Sequence, residues 1–249
     1  MSEFILRKAT EISDYRQAAE TLVRGGWAEF ILQDPIAAGA WDDIYRFFRD
    51  YAFFLCEKIS GTPAAVGLTA PLAWDGEPAA LPEEGWHWVL RQTAEDYRAK
   101  KEPKTLAAVA AVVHPDFRGQ ALAPRLVAEM KNVAVEHGFR RVIAPLRPSL
   151  KCRYPLTPME RYAAWKREDG QPFDPWLRVH AALGASVVGV CRRSITIEAD
   201  VADWEKWTGL AFPEPGEYVI PRGDATLAVD GLTGRGMYVA PGIWVVHEV

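Results

Sequence analysis

Residues 105–138 read TLAAVAAVVHPDFRGQALAPRLVAEMKNVAVEHG, and the fold turns on how this stretch is parsed. Thr105 to His114 is a near-continuous run of small apolar residues, the pattern of a strand covered on both faces. Pro115 cannot donate to a ladder and ends it. The chain turns at Arg118-Gly119, and a helix starts around Ala121, with Pro124 tolerated in its first turn. Leu122, Leu126, Met130 and Val133 form one apolar stripe, and Gly138 occupies the C-cap position. The first N–H groups of such a helix have no intrahelical partners, and the helix dipole adds partial positive charge there. A pyrophosphate is a natural occupant. Small residues at Gly119, Ala121 and Ala123 would let phosphates reach the backbone, and Arg118 offers a charge-assisted fork. The same residues equally fit an ordinary strand–turn–helix junction with a surface arginine.

Outward from this stretch the pattern stays mixed. Phe4 to Arg7 reads as a first strand and Asp14 to Arg24 as a helix stopped by Gly25-Gly26. Ala40 to Phe54 is aromatic-rich and reads as a helix running into a strand. Ala64 to Trp74 reads as a strand and Trp86 to Lys101 as a helix. Arg141 to Ala144 is a short buried strand. Thr157-Pro158-Met159-Glu160 has the form of a capping box with proline at the first helical position. Asp174-Pro175 starts another helix, which Gly184 ends. Ser186 to Glu198 alternates as a long strand, and Glu217 to Ile220 and Met237 to His247 are strand-like. No linker separates domains, so residues 1–249 are expected to form one domain. Its core is 105–198, with an insertion at 40–104 and a strand extension at 199–249.

Composition removes several classes. A hydrophobic fraction of 49% suffices for a core, and a net charge of -4 gives no bulk attraction to nucleic acid or anionic membranes. No apolar run is long enough to span a bilayer. The opening MSEFILRKATE lacks the pattern of a signal peptide. The cysteines Cys56, Cys152 and Cys191 are scattered and odd in number, without Cys/His ligand spacing, so free thiols in a cytoplasmic protein and no metal site are expected.

The string Val112-Val113-His114-Pro115-Asp116-Phe117-Arg118-Gly119-Gln120-Ala121-Leu122-Ala123 resembles the acyl-CoA-binding motif of the GNAT acetyltransferase superfamily, often written Gln/Arg-x-x-Gly-x-Gly/Ala. Arg118 supplies its first position and Ala123 its last, while Ala121 replaces the middle glycine. The resemblance covers Leu106 to Gly184. It implies a mixed α/β (α+β) fold with a mostly antiparallel sheet that splays between the Thr105 and Arg141 strands. It also implies acetyl-CoA or another acyl-CoA as co-substrate, held at Arg118, Gly119, Gln120, Ala121, Leu122 and Ala123, with the pantetheine arm on Val112 and Val113. The implied activity is transfer of an acyl group to an amine of a small molecule or peptide. The family's next helix ends in Tyr-x-x-x-Gly-Phe. Counting back from Gly184 puts His180 at the tyrosine's place, on one helix face with Trp176, Leu177 and Leu183. His180 is therefore the candidate catalytic residue for moving the proton. The alternative for it is a buried core histidine bonded to a carbonyl.

Residues 145–173 are longer than the family needs here. Lys151, Arg153, Tyr154 and Tyr162 are candidate acceptor-site residues on a loop that would act as a lid, the alternative being aromatics packed on the core. Trp86-His87-Trp88 reads as a packing cluster or an acceptor-cavity wall. The 199–249 tail is expected to add an edge hairpin or a homodimer contact. The departures at Ala121 and His180 also fit an acyl-CoA decarboxylase or hydrolase, and the long insertions and ten tryptophans fit a non-catalytic acyl-CoA-binding scaffold.

Overall fold

The computed structural model describes residues 3–249. Its elements follow in chain order. β1 (Phe4–Lys8) leads to α1 (Tyr15–Gly26), α2 (Glu29–Leu32) and α3 (Pro35–Phe47). The hairpin of β2 (Ala52–Glu57) and β3 (Pro63–Leu72) comes next, then α4 (Gly85–Arg98). β4 (Thr105–Val113), α5 (Leu122–Glu136) and β5 (Arg141–Leu146) form the decisive unit. After them come α6 (Met159–Ala163), α7 (Pro175–Ala182), β6 (Ser186–Asp200), α8 (Val201–Thr208), β7 (Gly216–Val219), β8 (Thr226–Asp230) and β9 (Arg235–Glu248).

Caps explain several boundaries. The Asp34 carboxylate accepts from the Ile36 and Ala37 N–H groups, and Pro35 opens α3. Asp174 does the same for α7 through Trp176 and Leu177. Two expected boundaries differ. Gly25 and Gly26 do not stop α1 but form its last residues. A Cβ on Gly26 would meet Val112 Cγ1 at 2.5 Å, so glycine is needed there for α1 to lie against β4. The Thr157–Glu160 capping box does not form. Pro158 occupies the N-cap of the short α6 without a side-chain bond, and Glu160 is paired with Arg192 instead.

The strands form one sheet in the order β1-β2-β3-β4-β5-β9-β8-β7, with β6 also on β9. All pairs are antiparallel except β4–β5. That parallel pair holds register only at Leu106↔Val142 and Ala107↔Ile143. Beyond Ala107 the two strands separate. β9 differs from the expected edge hairpin: it lies inside the sheet between β5 and β8, while β7–β8 make the edge. α1, α3, α4 and α8 cover one face, with Phe54, Val66, Leu68 and Trp244 beneath them. α5 packs on the other face over Phe53, Leu55 and Leu106, with α6 and α7 beside it over Leu146 and Ile243.

Candidate active site in the gap between β4 and β5

The separation of β4 and β5 opens a cleft of about 560 Å³. Ala108 to Val113 form one wall and Ala144 to Ser149 the other, and Gly26, Trp27, Trp86 and Ile195 close it from the side of α1 and α4. Because β4 has lost its partner on this side, its edge backbone groups face the gap rather than a neighbouring strand. The β3–β4 register slips between Leu68 and Thr69, leaving Val109 opposite no residue. Such a bulge re-aims backbone groups locally. The Trp86 indole donates to the Val109 carbonyl at 2.8 Å and pins the bulge.

At the mouth, Arg118 and Ala123 line the cleft. The turn between them runs through Gly119 at φ 79° and Ala121 at φ 55°. Ala121 is a non-glycine in the left-handed region, where its methyl group is strained. It is the N-cap of α5, and no side chain caps the helix, so the first-turn N–H groups are left for a ligand. Of the residues expected to hold the cofactor, Val112, Val113, Arg118 and Ala123 line the cleft. Gly119, Gln120 and Ala121 make the turn, and the Leu122 side chain is buried in the core beneath it.

His180 also lines the cleft, next to Trp176. It is 2% exposed, and its Nδ1 is 2.9 Å from Nε2 of His247 rather than near a carbonyl. Burial pushes its pKa down to about 3, with His247 adding to the effect. His180 is therefore neutral at physiological pH, a form that accepts a proton at one nitrogen.

Lys151, Arg153, Tyr154 and Tyr162 do not line the cleft. The buried Lys151 ammonium donates to the carbonyls of Tyr154, Pro155 and Asp224. Tyr162 is buried, with its hydroxyl on Asp174 at 2.7 Å. Tyr154 packs edge-on against Trp165 and Phe173. Lys151 and Tyr162 thus hold the 145–173 segment in place, while Arg153 is exposed. Trp86-His87-Trp88 divides its roles: Trp86 lines the cleft, His87 is buried against Asp34, and Trp88 packs on Trp244.

The cleft wall also carries Arg147, one of the basic residues of the 145–173 segment read as a lid, and Arg222 and Asp224, which the residue pattern did not assign to the site. Arg147 Nε donates to Asp224 Oδ2 at 2.7 Å, and Asp224 is 2% exposed. Arg222, itself at φ 62°, donates to the carbonyls of Gly26 and Trp27. It thereby ties the loop before β8 to the end of α1. Burial lowers its pKa, and the positive charges of Arg147 and Arg118 lower it further, so three guanidinium groups share this end of the cleft. Their sequence positions, 118, 147 and 222, are too far apart for a local pattern to reveal the cluster. Among the described residues no group of His, Cys, Asp and Glu could hold a metal ion, and no helix is long and apolar enough to cross a membrane.

A mostly antiparallel sheet that opens at a single parallel pair, with an uncapped helix N-terminus at the opening, is the architecture that the resemblance to the GNAT superfamily implies. No known family's sequence profile matches the chain. It is 31% identical to the arginine N-acetyltransferase avaD of Aspergillus versicolor, over 90% of this chain and 85% of that protein. The loading GNATL domain of CurA from Lyngbya majuscula superposes with a TM-score of 0.61 at 18% identity, over 99% of this chain and 98% of that one. The GphF GNAT-like decarboxylase, solved with isobutyryl-CoA, gives 0.57 at 15%, over 99% and 98%. These two structures establish the fold alone. The chain belongs to the GNAT acetyltransferase superfamily. It is an enzyme that transfers an acyl group from an acyl-CoA to an amine.

Proposed function

We propose that this chain acetylates an amine of a free amino acid, with arginine as the first acceptor to test and acetyl-CoA as the donor. The observation that carries the reading is the gap between β4 and β5, which brings an uncapped helix start and a buried neutral histidine to one cleft. In this reading the phosphates rest on the Arg118–Ala123 turn, and the pantetheine arm runs along the free edge of β4 at Val112 and Val113. The amine nitrogen attacks the thioester carbonyl. The C–N bond forms, the C–S bond breaks, and the amine proton passes to His180. The thiolate takes that proton back and leaves as CoA. Orientation of the two reactants in the cleft supplies most of the rate.

Charge in the cleft supports a carboxylate-bearing acceptor. Asp224 is the acidic side chain in its lining, and it is engaged by Arg147. Arg147 uses only Nε there, which leaves its two terminal nitrogens for a carboxylate fork. The avaD relative, named for arginine, is consistent with an amino-acid acceptor. The test is mass spectrometry of products from acetyl-CoA with arginine and, separately, with agmatine, which is arginine without its carboxylate. Acetylarginine with little acetylagmatine is expected. Equal turnover of both removes the carboxylate reading, and no thermal shift with acetyl-CoA removes the proposal altogether. In the Arg147→Met variant the KM for arginine should rise roughly ten-fold or more, the worth of one charge-assisted pair, with the KM for acetyl-CoA unchanged.

A further inference from the structure

We propose that His247 is a positioning residue for this reaction: it accepts the Nδ1 proton of His180 and so leaves the His180 Nε2 lone pair for the acceptor amine. This rests on the reading of His180 given above. The two rings meet at 2.9 Å between His180 Nδ1 and His247 Nε2, with centroids 5.2 Å apart. They come from α7 and from the end of β9, and they are 2% and 1% exposed. Their other nitrogens, His180 Nε2 and His247 Nδ1, are the buried side-chain polar atoms without a partner among the described residues. Buried polar groups are nearly always satisfied. Two orphans on one bonded pair, one of them on a residue that lines the cleft, mark a ligand-directed group rather than core packing.

A neutral imidazole donates at one nitrogen and accepts at the other. One bond between two neutral histidines therefore couples their tautomers. Either His180 donates from Nδ1 and keeps a bare Nε2, or His247 donates and His180 carries its proton on Nε2. The reaction chooses between these. An acceptor amine brings a proton to the cleft, and only a bare Nε2 on His180 can take it, so the required tautomer is the one in which His180 donates from Nδ1 and His247 Nε2 accepts. His247 lies by the Leu183 carbonyl, which works against the lowering of its pKa by burial. The same carbonyl accepts from Lys131 Nζ of α5 at 3.1 Å, and Lys131 is the charged group facing the pair. Its charge and burial both disfavour a cationic His247, so the resting pair is neutral. When His180 Nε2 takes the amine proton, the Nδ1–H bond to His247 keeps the ring aimed into the cleft until the thiolate removes the proton.

The experiment begins with nitrogen-15 NMR of histidine-labelled wild-type protein, which needs no substrate. The expected result is a His180 protonated on Nδ1 and bare on Nε2; a proton on Nε2 overturns the proposal. Steady-state kinetics then compare His247→Phe, which keeps a ring but cannot accept, with His247→Gln, which keeps an acceptor oxygen. In the phenylalanine variant kcat should fall roughly ten-fold or more, since general-base catalysis carries about 10²–10⁴. Acetyl-CoA affinity should be unchanged. Glutamine should restore most of kcat. An unchanged kcat in a folded His247→Phe overturns the proposal. If that variant does not fold, the wild-type tautomer and the glutamine variant decide. Should His180→Phe keep full turnover, the underlying reading of His180 fails, and that outcome differs from a wrong tautomer beside an essential His180.

Discussion

At the scale of the residue, the candidate site holds two unfavourable choices, a buried histidine and an alanine in a glycine's conformation. The unfolded chain protonates His180 near its ordinary pKa of 6.5, but the folded chain does so only at about 3. Between these values the unfolded state binds more protons, so stability is lost as pH falls through this window. At pH 5 the difference is 1.5 pH units, or about 2 kcal/mol. The fall in urea stability from pH 7.5 to 5 should therefore be smaller in His180→Phe than in wild type by about that amount, and equally steep curves would refute it. At Ala121, strain in the left-handed region costs about 1–2 kcal/mol, while glycine would cost about 0.5–1 kcal/mol in unfolded-chain entropy. Ala121→Gly should thus stabilise the protein slightly, by about 0.5–1 kcal/mol, with acetyl-CoA affinity equal or tighter, as thermal melting and titration calorimetry would show. His180 and Arg118 were legible because each stands at a fixed count from a glycine, Gly184 and Gly119. His247 and Arg222 were not, because their partners lie far along the chain and a lone His or Arg carries no sign of them.

At the scale of the element, one carboxylate organises the back of the site. Asp174 caps α7, which carries His180, and also accepts from the Ser149 and Leu150 N–H groups and the Tyr162 hydroxyl. It thereby fixes the end of the β5 wall to the start of the helix that carries His180. Asp174→Ala removes a cap worth about 1 kcal/mol and strands buried donors at about 1–3 kcal/mol each. A loss of at least about 3 kcal/mol is expected in denaturant titration, with kcat falling at temperatures where the protein is still folded. Asp174→Asn keeps one acceptor oxygen and should lose about half as much. This cap was readable because Asp-Pro at a helix start has a local mechanism. The Thr157 box was equally good as a string and still failed, since neighbouring bonds decided there: the Thr157 N–H goes to Tyr154 instead. α8 and β8 were missed, although Asp200 and Gly209, the latter at φ 71°, stand at the N-cap and C-cap of α8. They are short, and α8 is held mainly from outside itself, by Trp204, which is fully buried and donates to the Gly236 carbonyl.

At the scale of the whole molecule, the cleft exists because the sheet is completed from the far end of the chain. Strand order is a long-range property, and alternation in Met237 to His247 marked a strand without saying which neighbours it has. In the fold, β9 pairs with β5 over Ile243 to Glu248, with β6 along most of its length, and with β8 near its start. It thus supplies the antiparallel support that lets β5 leave β4 without becoming a bare edge. Trp244 on β9 is 2% exposed and donates to the Pro82 carbonyl, which ties the strand to the loop that leads into α4. Removal of residues 235–249 should therefore unfold the protein rather than trim an accessory hairpin. The milder substitution Trp244→Ala should cost about 3–5 kcal/mol. Circular dichroism and cooperative urea unfolding would read both. A truncated chain that still unfolds cooperatively and binds acetyl-CoA would mean that β5 can hold the gap open alone. Loss of cooperativity in the truncation, with a folded but weakened Trp244→Ala, would place the last strand among the elements that build the active site.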